Sequence, residues 1–207
     1  LYTLRDTDRA WLDNHSEVWT ERVVSSPRLI KGLDSTRVRM VGYDPVTDPL
    51  VFPQDDWDLE GSLPSQNSSN EIVVSSGVAS LLDLSTGQVI VVEVRTADGA
   101  LNAMQLTVTG IVNTGAMFFD KIGVMVPRSV ADPLLLSAGK TSHVHARLSD
   151  RDTAPIWAEQ ASATVGDAVD VRTWITTTAP LIEAGAMRQS MFNFMGFALL
   201  AMAAAGI

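Results

Sequence analysis

The stretch that most constrains this chain is its last one. From Gln189 to Ile207 (QSMFNFMGFALLAMAAAGI) no residue is charged, and Arg188 is the final charge of the sequence. A helix that crosses a bilayer needs about 20 predominantly apolar residues, and this run reaches about that length. No Pro interrupts it, and its Met, Leu and Ala residues favour helix. A helix on the surface of a globular core shows a polar face, whereas none follows Asn193. Small residues such as Gly196, Ala198 and Ala201 let a second helix approach closely. Residues 188–207 therefore read as the start of a transmembrane helix, and everything before Arg188 as a domain held against a membrane. The sequence stops inside the apolar run, so the natural chain is expected to extend further. The alternative is a buried C-terminal helix of a soluble core.

With 207 residues, the chain is long enough for one large or two small domains. Hydrophobic residues make up 46% and charged residues 19%, which argues against wholesale disorder. A net charge of −9 argues against a nucleic-acid surface, which needs a basic patch to release counterions. It also argues against broad adhesion to anionic lipid. The absence of cysteine excludes disulfides, thiol catalysis and cysteine-ligated metals. The first residues (LYTLRDTDRA) are polar after Leu4, so no signal peptide is visible, and a first membrane anchor would lie upstream.

Taken in order, Thr7 to His15 is expected as a short helix with Asp6 or Thr7 as its cap. Val18 to Val24 alternates loosely, and SSPRLIKG reads as a strand ending in a turn. Thr36 to Tyr43 alternates Val38, Met40 and Gly42 against Arg37, Arg39 and Val41, the pattern of a half-buried strand. Asp44-Pro45 ends it. Asp48 to Asn70 contains Pro49, Pro53, Pro64 and an acidic cluster, and reads as a long connecting loop with at most one short turn. EIVVSSGVASLLDL is expected as a strand running into a short helix, closed at Thr86-Gly87. Gln88 to Arg95 and Leu101 to Val112 are two β-rich runs, and the Asp-Gly of Ala97-Asp98-Gly99-Ala100 marks a hairpin between them. Ile122 to Val126 is a strand stopped by Pro127, and Arg128 to Ser137 a short helix or turn. His143 to Leu148 is a strand, and Thr153 to Thr164 a helix with Pro155 in its first turn. Val169 to Thr173 is a further strand, and 178–207 one long helix. The expected fold class is α+β with two lobes. One is an α/β lobe built from both chain ends (1–70 and 138–187). The other is a β-rich inserted lobe (71–137).

The residues form no catalytic constellation. His143-x-His145 puts two imidazoles on one strand face, a pairing that Zn sites use, but no third ligand follows nearby, and a solvated strand face is the expected setting. Asp55, Asp56, Asp58 and Glu60 lack the spaced loop that wraps Ca²⁺. There is no G-x-S-x-G elbow, no G-x-G-x-x-G and no phosphate-binding loop. The five Trp residues (Trp11, Trp19, Trp57, Trp157, Trp174) are scattered, as expected for packing positions. Trp174, just before the terminal helix, fits a headgroup boundary. No catalytic residue, cofactor or metal is expected, which leaves an interaction or transport module.

The order of these features resembles a known family. EIVVSSGVASLLDLSTGQVIVV, LTVTGIVNTGAMFFDKIGVMVP and the Trp174-to-Ile207 entry into the terminal helix carry the resemblance, with SSPRLIKG and VRMVGYDP upstream. Together they resemble the extracytoplasmic domain of ABC-transporter permeases of the lipoprotein-releasing (LolC/LolE-like), MacB-type and FtsX-like superfamily, over nearly the whole chain. The resemblance implies a two-lobed domain between the first and second of four transmembrane helices, facing the periplasm or extracytoplasmic space at the inner membrane. It implies a separate cytoplasmic ATPase subunit and a second permease copy or paralogue as partners. A lipoprotein or a periplasmic protein would be the further partner.

The sequence departs from the family pattern in three places. The carrier-recruiting member has a Pro-rich protruding loop where Thr96 to Asn102 is a short turn without Pro. Gly87-Gln88 stands for the usual Gly-Asp, and the chain ends AAAGI without a polar Asn before the Ile. On this reading the turn Ala97, Asp98, Gly99 and Ala100 is the candidate partner contact. The helix holding Leu181, Ala184 and Arg188 is the candidate coupling element, and both chain ends are expected on one side of the domain. Two alternatives remain. One is an FtsX-like regulator of a cell-wall hydrolase. The other is an extracytoplasmic hydrolase using the Asp55–Glu60 carboxylates, whose acids would have to flank a cleft.

Overall fold

The computed structural model describes residues 1–96, 98–166 and 169–177. These residues fall into two compact units, divided between Ser149 and Asp150. The terminal helix expected over 178–207 lies outside the described residues, and the expected placement of both chain ends falls with it. Among the described residues, no helix is long and apolar enough to cross a membrane.

The first unit is mixed α+β, as expected. Its order is α1 (Asp6–His15), β1 (Val18–Ser25), β2 (Arg28–Lys31), β3 (Asp34–Arg37), β4 (Arg39–Tyr43), α2 (Asp48–Val51), β5 (Asp58–Gly61), β6 (Glu71–Ser75), α3 (Ser76–Leu82), β7 (Val89–Arg95), β8 (Leu101–Asn113), α4 (Met117–Ile122), β9 (Gly123–Pro127), α5 (Arg128–Leu135) and β10 (His143–Arg147). The strands form one ten-stranded sheet in the order β10-β1-β4-β9-β6-β8-β7-β2-β3, with β5 also on β8. The pairs β4/β9 and β6/β8 are parallel, and the rest are antiparallel. Strands from 1–70 pair with strands from 71–137 at β2/β7, β4/β9 and β5/β8.

Each face of the sheet buries its own apolar cluster, because successive side chains of a strand point to opposite faces. Met40, Ile72, Val74, Leu106, Val124 and Val126 meet Val78 and Leu82 of α3 and Val130 and Leu134 of α5. Val41, Tyr43, Val73 and Met125 point the other way, where Trp57, Leu59, Leu63 and Phe119 pack on them. β8 serves both clusters because its alternation flips. Ile72 pairs with Val108 but Val73 pairs with Gly110, so Thr109 is an extra residue in the ladder. Such a bulge shifts every later side chain to the other face. Leu106 and Val108 accordingly join the first cluster and Val112 the second.

Several expectations need correction. The 36–43 strand is two strands, separated at Val38. Its second half is not half-buried: Met40, Val41, Gly42 and Tyr43 are all buried, because β4 lies between β1 and β9 with apolar residues on both faces. Gly42 is required there. A Cβ would stand 2.5 Å from the Ala131 Cβ of α5 and 2.6 Å from Val23 Cγ1. The segment from Asp48 to Asn70 is not a plain loop, since it contains α2 and β5. Helix α1 starts at Asp6 with Arg5 as its cap. The Asp8 carboxylate accepts from the Arg5 backbone N–H and from its guanidinium.

The second unit begins with a 3-10 turn over Arg151–Thr153, where Asp150 accepts from the Asp152 N–H. α6 (Ala154–Val165) follows, with Pro155 in its first turn. The strand expected over 169–173 does not form among the described residues. That segment finds no pairing strand, and Asp170 ion-pairs locally with Arg172 at 2.6 Å.

Candidate functional site

Only part of the sequence-derived candidates can be placed. Asp98, Gly99 and Ala100 sit exposed at the β7–β8 turn, and Ala97 lies outside the described residues. Gly99 has φ +85° and donates its N–H to the Thr96 carbonyl, while the Thr96 N–H bonds the Ala100 carbonyl. Positive φ at that position explains the glycine. The hairpin is short and closed on itself, so it projects no long arm. Leu181, Ala184 and Arg188 lie outside the described residues.

The acidic cluster is exposed. Asp55 and Asp56 are in a turn, while Asp58 and Glu60 sit on β5. Along the sheet, β8, which carries β5, is separated from the histidine strand β10 by β6, β9, β4 and β1. Asp58 and Glu60 on β5 thus lie several strands from β10 along the sheet, whereas Asp55 and Asp56 follow Phe52, whose ring meets His145. No group of three or more metal-binding side chains occurs among the described residues.

The histidine pair has a different setting from the solvated face that its spacing suggests. His143 is exposed and His145 half-buried. Their rings are parallel, with centroids 5.9 Å apart, and Phe52 meets His145 edge-on at 5.0 Å. Burial, then Arg22, then His143 push the His145 imidazole down to about 4, so it is neutral at pH 7. Burial also lowers His143, aided by Arg39 and Arg22.

The reason is a clasp that no sequence motif announced. Arg22 of β1 donates Nε and Nη2 to the two oxygens of Asp48, at 2.7 and 2.8 Å. Asp48, at the start of α2, is fully buried, and the Arg22 guanidinium lies 3.6 Å from the centre of the Phe52 ring. Thr20 and Thr47 share a hydrogen bond of 2.9 Å, and Arg147 of β10 donates to the Leu50 carbonyl. α2 thus fastens β1 and β10, the end of the sheet that leads into the second unit. Asp48-Pro49 was the one local signal for it, since Asp and Pro both favour a helix start.

Beside this clasp lies a half-open polar cavity of about 560 Å³. Asp44 and Arg128 line it at the carboxyl ends of the parallel strands β4 and β9, facing Glu17 and Trp19. Its charges are largely matched within the fold. Arg9 pairs with Glu21 at 2.5 Å and Arg128 with Asp132 at 3.0 Å, while Trp19 donates its Nε1–H to Asp13. No nucleophile is paired with a base among the described residues that line it.

No protein-family model matches the sequence, and no curated protein matches it. Solved structures do match. The extracellular domain of the noncanonic ABC-type transporter YknZ from Gram-positive bacteria shares 16% identity, with 79% of this chain and 83% of that one covered and a TM-score of 0.55. The periplasmic region of MacB from Actinobacillus actinomycetemcomitans shares 13%, with 87% and 84% covered and a TM-score of 0.59. The chain has the fold of these extracytoplasmic domains of ABC-type transporter permeases.

Proposed function

We propose that this chain is the extracytoplasmic domain of an ABC-transporter permease of the MacB type. In this reading a separate cytoplasmic subunit hydrolyses ATP, and two permease chains, identical or paralogous, carry the resulting displacement across the membrane. The domain then acts on a substrate already outside the cytoplasm. The fold match over 87% of the chain carries the reading, and the missing catalytic constellation among the described residues is consistent with it. Arg188 and the apolar run after it fit an anchor. The helix with Leu181, Ala184 and Arg188 is the proposed coupling element, since a continuous helix can pass on a rigid-body displacement. Asp98, Gly99 and Ala100 are the proposed partner contact. The short, Pro-free hairpin favours MacB-type coupling over recruitment of a lipoprotein carrier.

The chain has no cysteine, so topology can be read with one introduced thiol. Asp98→Cys in the natural membrane protein should react with a membrane-impermeant maleimide in sealed spheroplasts. Labelling only after permeabilisation would place the domain in the cytoplasm and end the proposal. Coupling is tested by inserting two glycines after Arg188 with the ATPase subunit present. ATP hydrolysis should persist while substrate movement stops.

A further inference from the structure

Among the described residues, one face of the sheet is left open at β3, β2, β7 and β8, where Arg28, Ser35, Arg37, Ala103 and Gln105 are exposed and Ile30 and Val91 half-buried. Residues directly opposite in neighbouring strands share a face, so the pairings of β3, β2, β7 and β8 define its rows. Arg37 stands opposite Arg28, which stands opposite Glu93, which stands opposite Ala103. The next row runs Ser35, Ile30, Val91, Gln105. Val89 and Leu101 lie at its two ends, 58% and 66% exposed. The alternate residues Leu29, Ile90, Val92 and Val94 point the other way and are buried with α3 and α5.

The charge of this face has the opposite sign to that of the chain. Arg28, Arg37 and Arg95 stand against the single acid Glu93, whereas the whole sequence carries −9. Arg28 and Glu93 are 3.9 Å apart and only partly neutralise one another. An apolar centre framed by arginines is the composition of an interface, where Arg is enriched. We infer that the open face of β3-β2-β7-β8 docks a partner protein whose contact surface is acidic around an apolar centre. An anionic membrane is the poorer occupant, because the rest of the chain would be repelled by it. Four strands at ~4.8 Å and seven residues at ~3.3 Å give at most roughly 19 by 23 Å. That is below the ~800 Å² per partner of a stable complex, so the contact is transient and salt-sensitive. The inference concerns the face itself and goes beyond the transporter reading.

The test uses the membrane protein in its own cells, with photoreactive benzoylphenylalanine at Val91, and at Leu81 of α3 as control. A protein adduct is expected at Val91 alone, cross-linked through a peptide rich in Asp and Glu. Arg28→Glu with Arg37→Glu should lower its yield at least tenfold, Arg28→Lys with Arg37→Lys should keep it, and reversing the partner's acids should restore it. Should the Glu variant fail to fold, the salt series decides. The yield must fall several-fold between 50 and 500 mM NaCl. An adduct only with a second copy of this chain, only with lipid, no stronger than at Leu81, or insensitive to both charge and salt overturns the inference.

Discussion

At the residue scale, His145 shows how neighbours decide a property that the sequence leaves open. H-V-H on a strand looks like a wet imidazole pair, and only the fold brings Phe52, Arg22 and Asp48 around it. Arg22 and Asp48 are 26 residues apart, so no local pattern could pair them. The consequence for stability has a definite sign. The folded-state value is about 4, below the ordinary 6.5, so the unfolded chain binds the extra proton between those values. Stability contributed by neutral His145 is therefore complete above about pH 6.5, lost as pH falls through the window, and unchanged below about pH 4. The loss is on the order of 2–3 kcal/mol. His145→Gln should flatten that part of the profile. Urea midpoints at pH 7 and 4.5 measure it, because carboxylates titrate alike in both proteins and cancel in the difference. Equal slopes in parent and variant would remove His145 as the cause.

At the scale of elements, legibility follows how local each determinant is. The β7–β8 hairpin was readable because Asp-Gly supplies a turn, and β6–α3 because Ser75 accepts from the Val78 N–H at the helix start. β5 was not readable. DLEG has one apolar residue, and it is a strand only because β8 offers a ladder, as expected where β preference is set by neighbours. Val169 to Thr173 fails in the opposite way, since it alternates well but meets no strand among the described residues. The bulge at Thr109 was read past because LTVT alternates cleanly, and only the adjacent Ile111 and Val112 after Gly110 break the period. The end of α5 was hidden too. Leu136 takes φ +51° there, and Ala138 φ +51° follows, in a conformation that glycine usually fills. Leu136 is 54% exposed, so its side chain returns little of the strain. Leu136→Gly should stabilise the protein by roughly 0.5–1 kcal/mol, the left-handed strain removed less the added chain entropy. A lower melting temperature for that variant would mean that Leu136 makes a contact outweighing its backbone strain.

At the scale of the whole molecule, the sequence divides the chain by composition and the structure divides it by packing, and the two divisions differ. Hydropathy places its one sharp boundary at Arg188. Packing places a boundary between Ser149 and Asp150, and among the described residues all ten strands and every member of both apolar clusters lie before it. A unit of that size has a core large enough to fold alone. The fragment 1–149 should therefore be soluble without detergent, β-rich by circular dichroism, and unfold in one cooperative transition. Its edge strand β10 is held by β1 on one side and by the Arg147 bond to α2, so it needs no later residue to stay in the sheet. The Arg22–Asp48 clasp gives an internal check. Asp48→Ala leaves a half-buried guanidinium without its partner and should cost about 3 kcal/mol, in the fragment as in the whole chain. An equal loss in both would show that the fragment keeps the native clasp. A fragment that melts without a transition, or that ignores Asp48→Ala, would show that residues after Ser149 complete the core. The first unit would then not fold on its own.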